Sequence, residues 1–225
     1  MSASVAAEHA DHPPAHGHKD DHGHAPPSDQ YGTATNGKIA MWLFLVSDAF
    51  SFGGLLIAYG ILRSGSHTWH HKAGELGWKY ATEPKLGINF TAGLTFLLIC
   101  SSVSMVMAYA AAADKDRKGT LLWLGLTILG GLLFLTGQYH EYFGIWAPGL
   151  TKEGLTFGHS AYASTFYLVT SFHGLHVATG TLYLIITWIR TARGKTDETD
   201  IELVGLFWHF VDLVWILVFT FIYLL

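Results

Sequence analysis

Half of the 225 residues are hydrophobic, only 13% are charged, and the formal net charge is −4. A soluble domain carries about 25% charged residues, so this composition excludes an ordinary soluble enzyme or a basic nucleic-acid binder and leaves a membrane protein. The single cysteine, Cys100, excludes an intrachain disulfide and a multi-cysteine metal site.

Residues 1–38 differ from the rest: Pro, Gly, Asp and His recur, and large apolar residues are almost missing. Such a stretch buries too little surface to fold alone, and it is expected to be a disordered tail. It lacks the basic start and apolar core of a signal peptide. His9, His12, His16, His18, His22 and His24 read as a solvated, pH-sensitive segment rather than a specific metal site.

Residues 39–225 read as one membrane domain. A helix needs about 20 mostly apolar residues to cross the bilayer, and five such runs follow, over residues 39–62, 87–113, 119–142, 163–189 and 203–225. They are too long for barrel strands. The predicted fold is therefore all-α, a polytopic bundle of five transmembrane helices. Cys100 falls within the second run and is expected to be a buried, inert thiol. Eight basic residues share the side of the tail and the loops around 114–118 and 190–202: Lys19, Lys38, Lys115, Arg117, Lys118, Arg190, Arg193 and Lys195. Five lie on the other side: Arg63, Lys72, Lys79, Lys85 and Lys152. The positive-inside rule places the N-terminus in the cytoplasm and the C-terminus outside, with Trp69, Trp78, Tyr80, Trp146 and Tyr162 as an interfacial belt.

Ionisable residues inside spans are functional candidates by default. The first span has Asp48, the third ends in Glu141, the fourth has His173 and His176, and the fifth has His209 and Asp212. Each three-residue spacing places its pair on one helix face. Asp48 needs a donor, a lipid headgroup or water. The histidines with Asp212 or Glu141 offer enough ligands for a metal, and His173 or His176 against His209 offers two haem axial ligands. Against a joint cluster, Glu141 should lie at the outer end of its span and the histidines near mid-membrane. Helix–helix hydrogen bonding is the reading that spacing favours, with a proton or lipid role open. Small residues four apart (Ser104, Ala108 and Ala112; Ser47 and Ser51; Ala49 and Gly53) suit close helix approach. The clusters Trp208–Phe210 and Trp215–Tyr223 fit core, lipid face or subunit interface. No phosphate loop, nucleophile motif or inverted repeat is evident.

Motifs through every span resemble one family. MWLFLVSDAFSF is similar to a WxFLxSExxxF opening, and NFTAGLTFLLICSSVSMVMA to an Asn-led helix with a Ser pair, here Ser101 and Ser102. LTGQYHEY matches GQxxEY through Gly137, Gln138, Glu141 and Tyr142. FYLVTSFHGLHVATG, with Gly174, is close to FYxxTGFHGLHVxxG, and FWHFVDLVWILVFTFIYLL, with Trp208 and Trp215, to YWHFVDxVWxxxFxxxYL. Over about residues 38–225 the chain resembles subunit III of the haem-copper oxidases, in the short five-helix bacterial form. Three features depart from that pattern, the first being five helices where the mitochondrial form has seven. Asp48 stands where the family has its carbodiimide-reactive Glu, and the histidine-rich tail has no counterpart.

The resemblance implies a multi-pass subunit of a bacterial inner-membrane terminal oxidase, a cytochrome c or quinol oxidase of aerobic electron transport. The chain itself would carry no catalytic centre, metal or haem, with haem and copper in the partner subunits. It implies packing on subunit I, with subunit II and subunit IV nearby, and a place in a respiratory supercomplex is compatible with it. It also implies phospholipid held in a helix cleft, support of proton uptake, and slower turnover-dependent inactivation. The histidines would be internal hydrogen-bonding groups, with Glu141 and Asp212 as candidate partners. Two alternatives stay open: a related accessory subunit of nitric oxide reductase, and a haem- or metal-bearing membrane anchor.

Overall fold

The computed structural model describes residues 36–65, 88–145, 149–151, 156–158 and 160–224. The expectations for the histidine-rich residues 1–35 and for Trp69, Trp78, Tyr80 and Trp146 lie outside them. The described residues form five long helices and no strand: α1 (Asn36–Gly65), α2 (Ile88–Ala113), α3 (Arg117–Phe143), α4 (Ala161–Ala192) and α5 (Glu198–Phe219), the last continuing into a π-helical turn, Thr220–Leu224. The shortest apolar rod among α1–α4, the 26-residue α2, is about 39 Å long at 1.5 Å per residue. That exceeds the roughly 30 Å hydrocarbon core, and all five helices are long and apolar enough to cross a membrane.

Each predicted span coincides with one helix, but most helices outrun their apolar stretch because polar residues terminate them. Ser160 caps α4 by accepting from the Ala163 N–H at 3.0 Å, satisfying one of the orphan amides of a helix start. Asp116 does the same for α3 through the Lys118 N–H at 3.1 Å. The turn before it is closed by Lys115 in the left-handed region, φ 59°. At the C-terminal end of α4, the Arg117 guanidinium donates to the carbonyls of Thr191 (3.0 Å) and Ala192, oxygens that the helix itself leaves free. Arg190 pairs with Asp200 in the first turn of α5 at 3.0 Å. α1 begins at Asn36, three residues before the expected start of the first span, and Lys38 is tied to Glu202 of α5 at 2.7 Å. The start of α1, the turn between α2 and α3, and the turn between α4 and α5 therefore sit at one end of the bundle.

α2, α3, α4 and α5 close a four-membered ring in which each helix packs on the next and α5 returns to α2; α1 packs outside the ring on α4 and α5. α5 is the most enclosed helix and α1 the least. The interior is small and polar as well as aromatic. Thr91, Thr95, Ser101, Ser104, Thr127, Thr170, Thr181 and Thr187 are buried, while Phe50, Phe96, Leu122, Leu168 and Leu213 point outward. Lipid is as apolar as leucine, so burying leucine gives no drive to associate; close packing and interhelical hydrogen bonds hold such helices together.

Two features of α3 show how close the approach is. A Cβ on Gly130 would stand 2.6 Å from the Ser101 Cβ of α2, and one on Gly131 would stand 2.6 Å from the Thr181 Oγ1 and 2.7 Å from the Trp208 ring. Trp208 and Trp215, left open between core and lipid, are both core: 1% and 0% exposed. Their indole N–H groups donate to Ser101 Oγ at 3.1 Å and Thr95 Oγ1 at 2.9 Å, stitching α5 to α2. Ser104 and Ala108 lie in the same interior, whereas Ser47, Ala49 and Ser51 of α1 are exposed. Cys100 is a correction: it is exposed on the outward side of α2. In a membrane helix an apolar sequence context does not distinguish an inward position from a lipid-facing one.

Candidate functional site: the polar groups inside the bundle

Asp48 of α1 meets His176 of α4, Oδ1 to Nε2, at 3.2 Å, with only 9% and 13% of the two side chains exposed. The other ring nitrogen, Nδ1, lies 2.8 Å from the Phe172 carbonyl oxygen. A carbonyl only accepts, so Nδ1 carries a hydrogen and donates. Nε2 is then the ring atom that faces the Asp48 carboxyl. Phe52 and Phe172 flank the imidazole at ring-centroid distances of 5.2 and 4.8 Å. Asp48 was expected to need a donor, a lipid headgroup or water, and the side chain it meets is His176 of α4.

Glu141 forms a second network at the far end of α3. Its Oε1 accepts from Thr91 of α2 at 3.0 Å. Its Oε2 accepts from Tyr223 Oη, just past α5, at 3.1 Å, and from Gln138 Nε2 at 3.3 Å. One turn of chemistry therefore ties three helices. Beside it, Tyr142 Oη donates to Thr170 Oγ1 of α4 at 2.5 Å. Sequence reasoning named Glu141 and Gln138 as site residues but not Thr91 or Thr170, and named Tyr223 only as the end of an aromatic cluster. The available signal was depth, because the start of α2 and the end of α5 both lie at the level of the end of α3.

His209 sits within 2.6 Å of the Ser102 hydroxyl, Nδ1 to Oγ, and Asp212 lies within reach of the same hydroxyl. This third group belongs to the α2–α5 seam. His173 is different: it is fully buried against Trp215 (4.7 Å between ring centroids) and Phe134 (5.7 Å), and neither ring nitrogen has a hydrogen-bond partner among the described residues. Gly174 borders open space; a Cβ there would meet nothing within 4 Å.

The expected histidine partners are thus corrected. Glu141 and Asp212 do not bond His173 or His176; Asp48 bonds His176, and Ser102 bonds His209. The six candidate residues fall into separate groups rather than one cluster. Among the described residues no three His, Cys, Asp or Glu side chains stand together as a metal-holding group. The opposed α4 and α5 histidines imagined as axial ligands are occupied apart from each other, His209 toward α2 and His176 toward α1.

This arrangement defines a class of protein: an integral membrane protein whose ionisable groups sit in separate pairs and networks at helix seams. The comparisons with known proteins name the class. A family model described as cytochrome c oxidase subunit III matches residues 29–225, and the chain belongs to that family, a family of haem-copper oxidase subunits. It is 36% identical over 215 residues to cytochrome c oxidase subunit 3 of Synechocystis, covering 94% of this chain and 80% of that one. It is 31% identical over 228 residues to cytochrome bo(3) ubiquinol oxidase subunit 3 of Pseudomonas aeruginosa, covering 100% and 99%. To cytochrome c oxidase subunit 3 of Corynebacterium diphtheriae it is 34% identical over 184 residues, covering 80% and 84%.

Proposed function

We propose that the chain is the non-redox subunit of a proton-pumping terminal oxidase that reduces O2 to water. In this reading it stabilises subunit I, holds phospholipid against its helices and supports proton uptake into its partner. Subunits II and IV complete its surroundings. Haem and copper reside in those partners. The N-terminus lies in the cytoplasm and the C-terminus outside, following the basic Lys38, Arg117, Lys118 and Arg190 at one end of the bundle.

One observation carries the reading. Asp48 with His176, Glu141 with Thr91 and Tyr223, and His209 with Ser102 each join two or more helices. Groups engaged in this way hold helices together, and the outward apolar faces of α1 and α2 are free for lipid and neighbouring subunits. The relatives include both cytochrome c and ubiquinol oxidases, so the electron donor is left to the partner subunits.

The test is a pulldown of this chain from detergent-solubilised membranes, with mass spectrometry and an optical spectrum, followed by a spectrum of the chain after dissociation. Co-purification of a haem-copper subunit I and a colourless separated chain support the reading. A Soret band or stoichiometric metal on the separated chain would establish the cofactor-bearing anchor instead. Co-purification of nitric oxide reductase subunits would establish the accessory-subunit alternative.

A further inference from the structure

His173 is the one fully buried ionisable side chain whose polar atoms have no protein partner among the described residues. Two more such atoms lie on the helices whose phenyl rings pack against this imidazole. Asp48 Oδ2 of α1 and Gln138 Oε1 of α3 are also buried without a hydrogen-bond partner among the described residues. The three residues are linked through the aromatic box around the imidazole. Phe52, 6.4 Å from the His173 ring, lies one helical turn from Asp48; Phe134, 5.7 Å from it, lies one turn from Gln138. The third wall, Trp215, has already given its indole N–H to Thr95.

A neutral imidazole presents one N–H donor and one acceptor nitrogen. Neither the choice of tautomer nor a ring flip satisfies both against phenyl walls. The carboxyl oxygen Asp48 Oδ2 is left as an acceptor, since the contact with His176 is made through Oδ1. The Gln138 amide nitrogen donates to Glu141 at 3.3 Å, which leaves its oxygen as an acceptor. The count is therefore one donor and three acceptors. Two water molecules bonded to each other present the complement: three hydrogens to donate and an oxygen to accept the imidazole N–H. Buried water typically makes two to four such bonds, and an acyl chain makes none.

We propose that a pair of ordered waters is bound between α1, α3 and α4, with His173 as its principal ligand and Asp48 Oδ2 and Gln138 Oε1 as its other anchors. This water site joins the Asp48–His176 pair to the Glu141 network and makes one polar core of the two. It concerns the bundle alone and stands independently of the lipid and proton-uptake roles.

The deciding experiment is a cryo-EM map of the intact oxidase complex at a resolution that shows ordered water elsewhere in the membrane domain. Density within hydrogen-bond distance of a His173 ring nitrogen and of Asp48 or Gln138 is the expected result; bare aromatic packing around the ring overturns the proposal. Variants of the same complex give an independent reading. If water is bound, His173→Leu lowers the temperature at which this subunit dissociates, and His173→Gln, which keeps a donor and an acceptor, recovers at least half of the shift. If the ring is dry, His173→Leu removes two unsatisfied atoms and raises that temperature above the unaltered complex.

Discussion

The Asp48–His176 pair lends itself to a double-mutant cycle, because its two partners lie on different helices and each can be truncated alone. α1 is the least enclosed helix, and this pair and Lys38–Glu202 are among its polar attachments to the bundle. Interhelical hydrogen bonds in membrane proteins couple by about 0.6 kcal/mol on average and about 1.7 kcal/mol at most. The upper part of that range applies here. Both side chains are about nine-tenths buried, and the imidazole is fixed by its second bond to the Phe172 carbonyl at 2.8 Å. A coupling of about 1.4 kcal/mol follows, tenfold in an equilibrium constant. Asp48→Ala alone should cost more, about 2–3 kcal/mol, since it also strands a buried Nε2. Asp48→Asn should cost under about 1 kcal/mol, because its amide N–H donates to the same nitrogen. The assay is retention of the subunit on the purified complex as SDS is titrated into mixed micelles, for both single variants and the double variant. A coupling within about 0.3 kcal/mol of zero, with both single variants destabilising, would refute the bond that the argument rests on.

Glu141→Gln should destabilise by about 1–3 kcal/mol in the same titration, because one oxygen that accepts from Tyr223 or Thr91 becomes a second donor facing a donor; Tyr223→Phe in that background should restore part of the loss, and no recovery would count against Tyr223 as the donor. Gly131→Val should cost about 1–3 kcal/mol or prevent assembly, since the first added carbon already meets Thr181 and Trp208 below 3 Å, whereas Gly174→Ala, facing open space, should shift the SDS midpoint by less than about 0.5 kcal/mol. Lys38→Ala should weaken retention only slightly, with an effect that shrinks as salt rises from about 50 to about 500 mM, which shortens the Debye length roughly threefold, because nearly a third of each side chain of the pair is exposed.

How far the sequence could be read depends on what each of its signals measures. Hydropathy measures length against the bilayer, so five spans were legible and all five are helices. Spacing measures which side of a helix a residue occupies, but only relative to its own axis. His173 and His176 are three residues apart and share a side, yet the 60° between them is enough to send one into the Trp215 box and the other to α1. Which helix waits on each side is decided by packing, and α1, adjacent to α2 in sequence, packs on α4 and α5 instead. The partners of the histidines were therefore not available from spacing alone.

Cys100 failed for a related reason, and that reason points to a better rule. In water an apolar stripe marks the interior; in lipid both sides of a helix are apolar, and the discriminating residues are the small polar ones that need a partner away from hydrocarbon. On α2 the buried positions are Thr91, Leu94, Thr95, Leu98, Ser101, Ser104, Met105 and Ala108, a stripe at three- and four-residue steps traced by its hydroxyls. Cys100 stands off that stripe, one step from Ser101, and so faces out. The same hydroxyls receive Trp208 and Trp215 and donate to Glu141. In this bundle the threonines and serines, more than the leucines, show where the neighbouring helix lies.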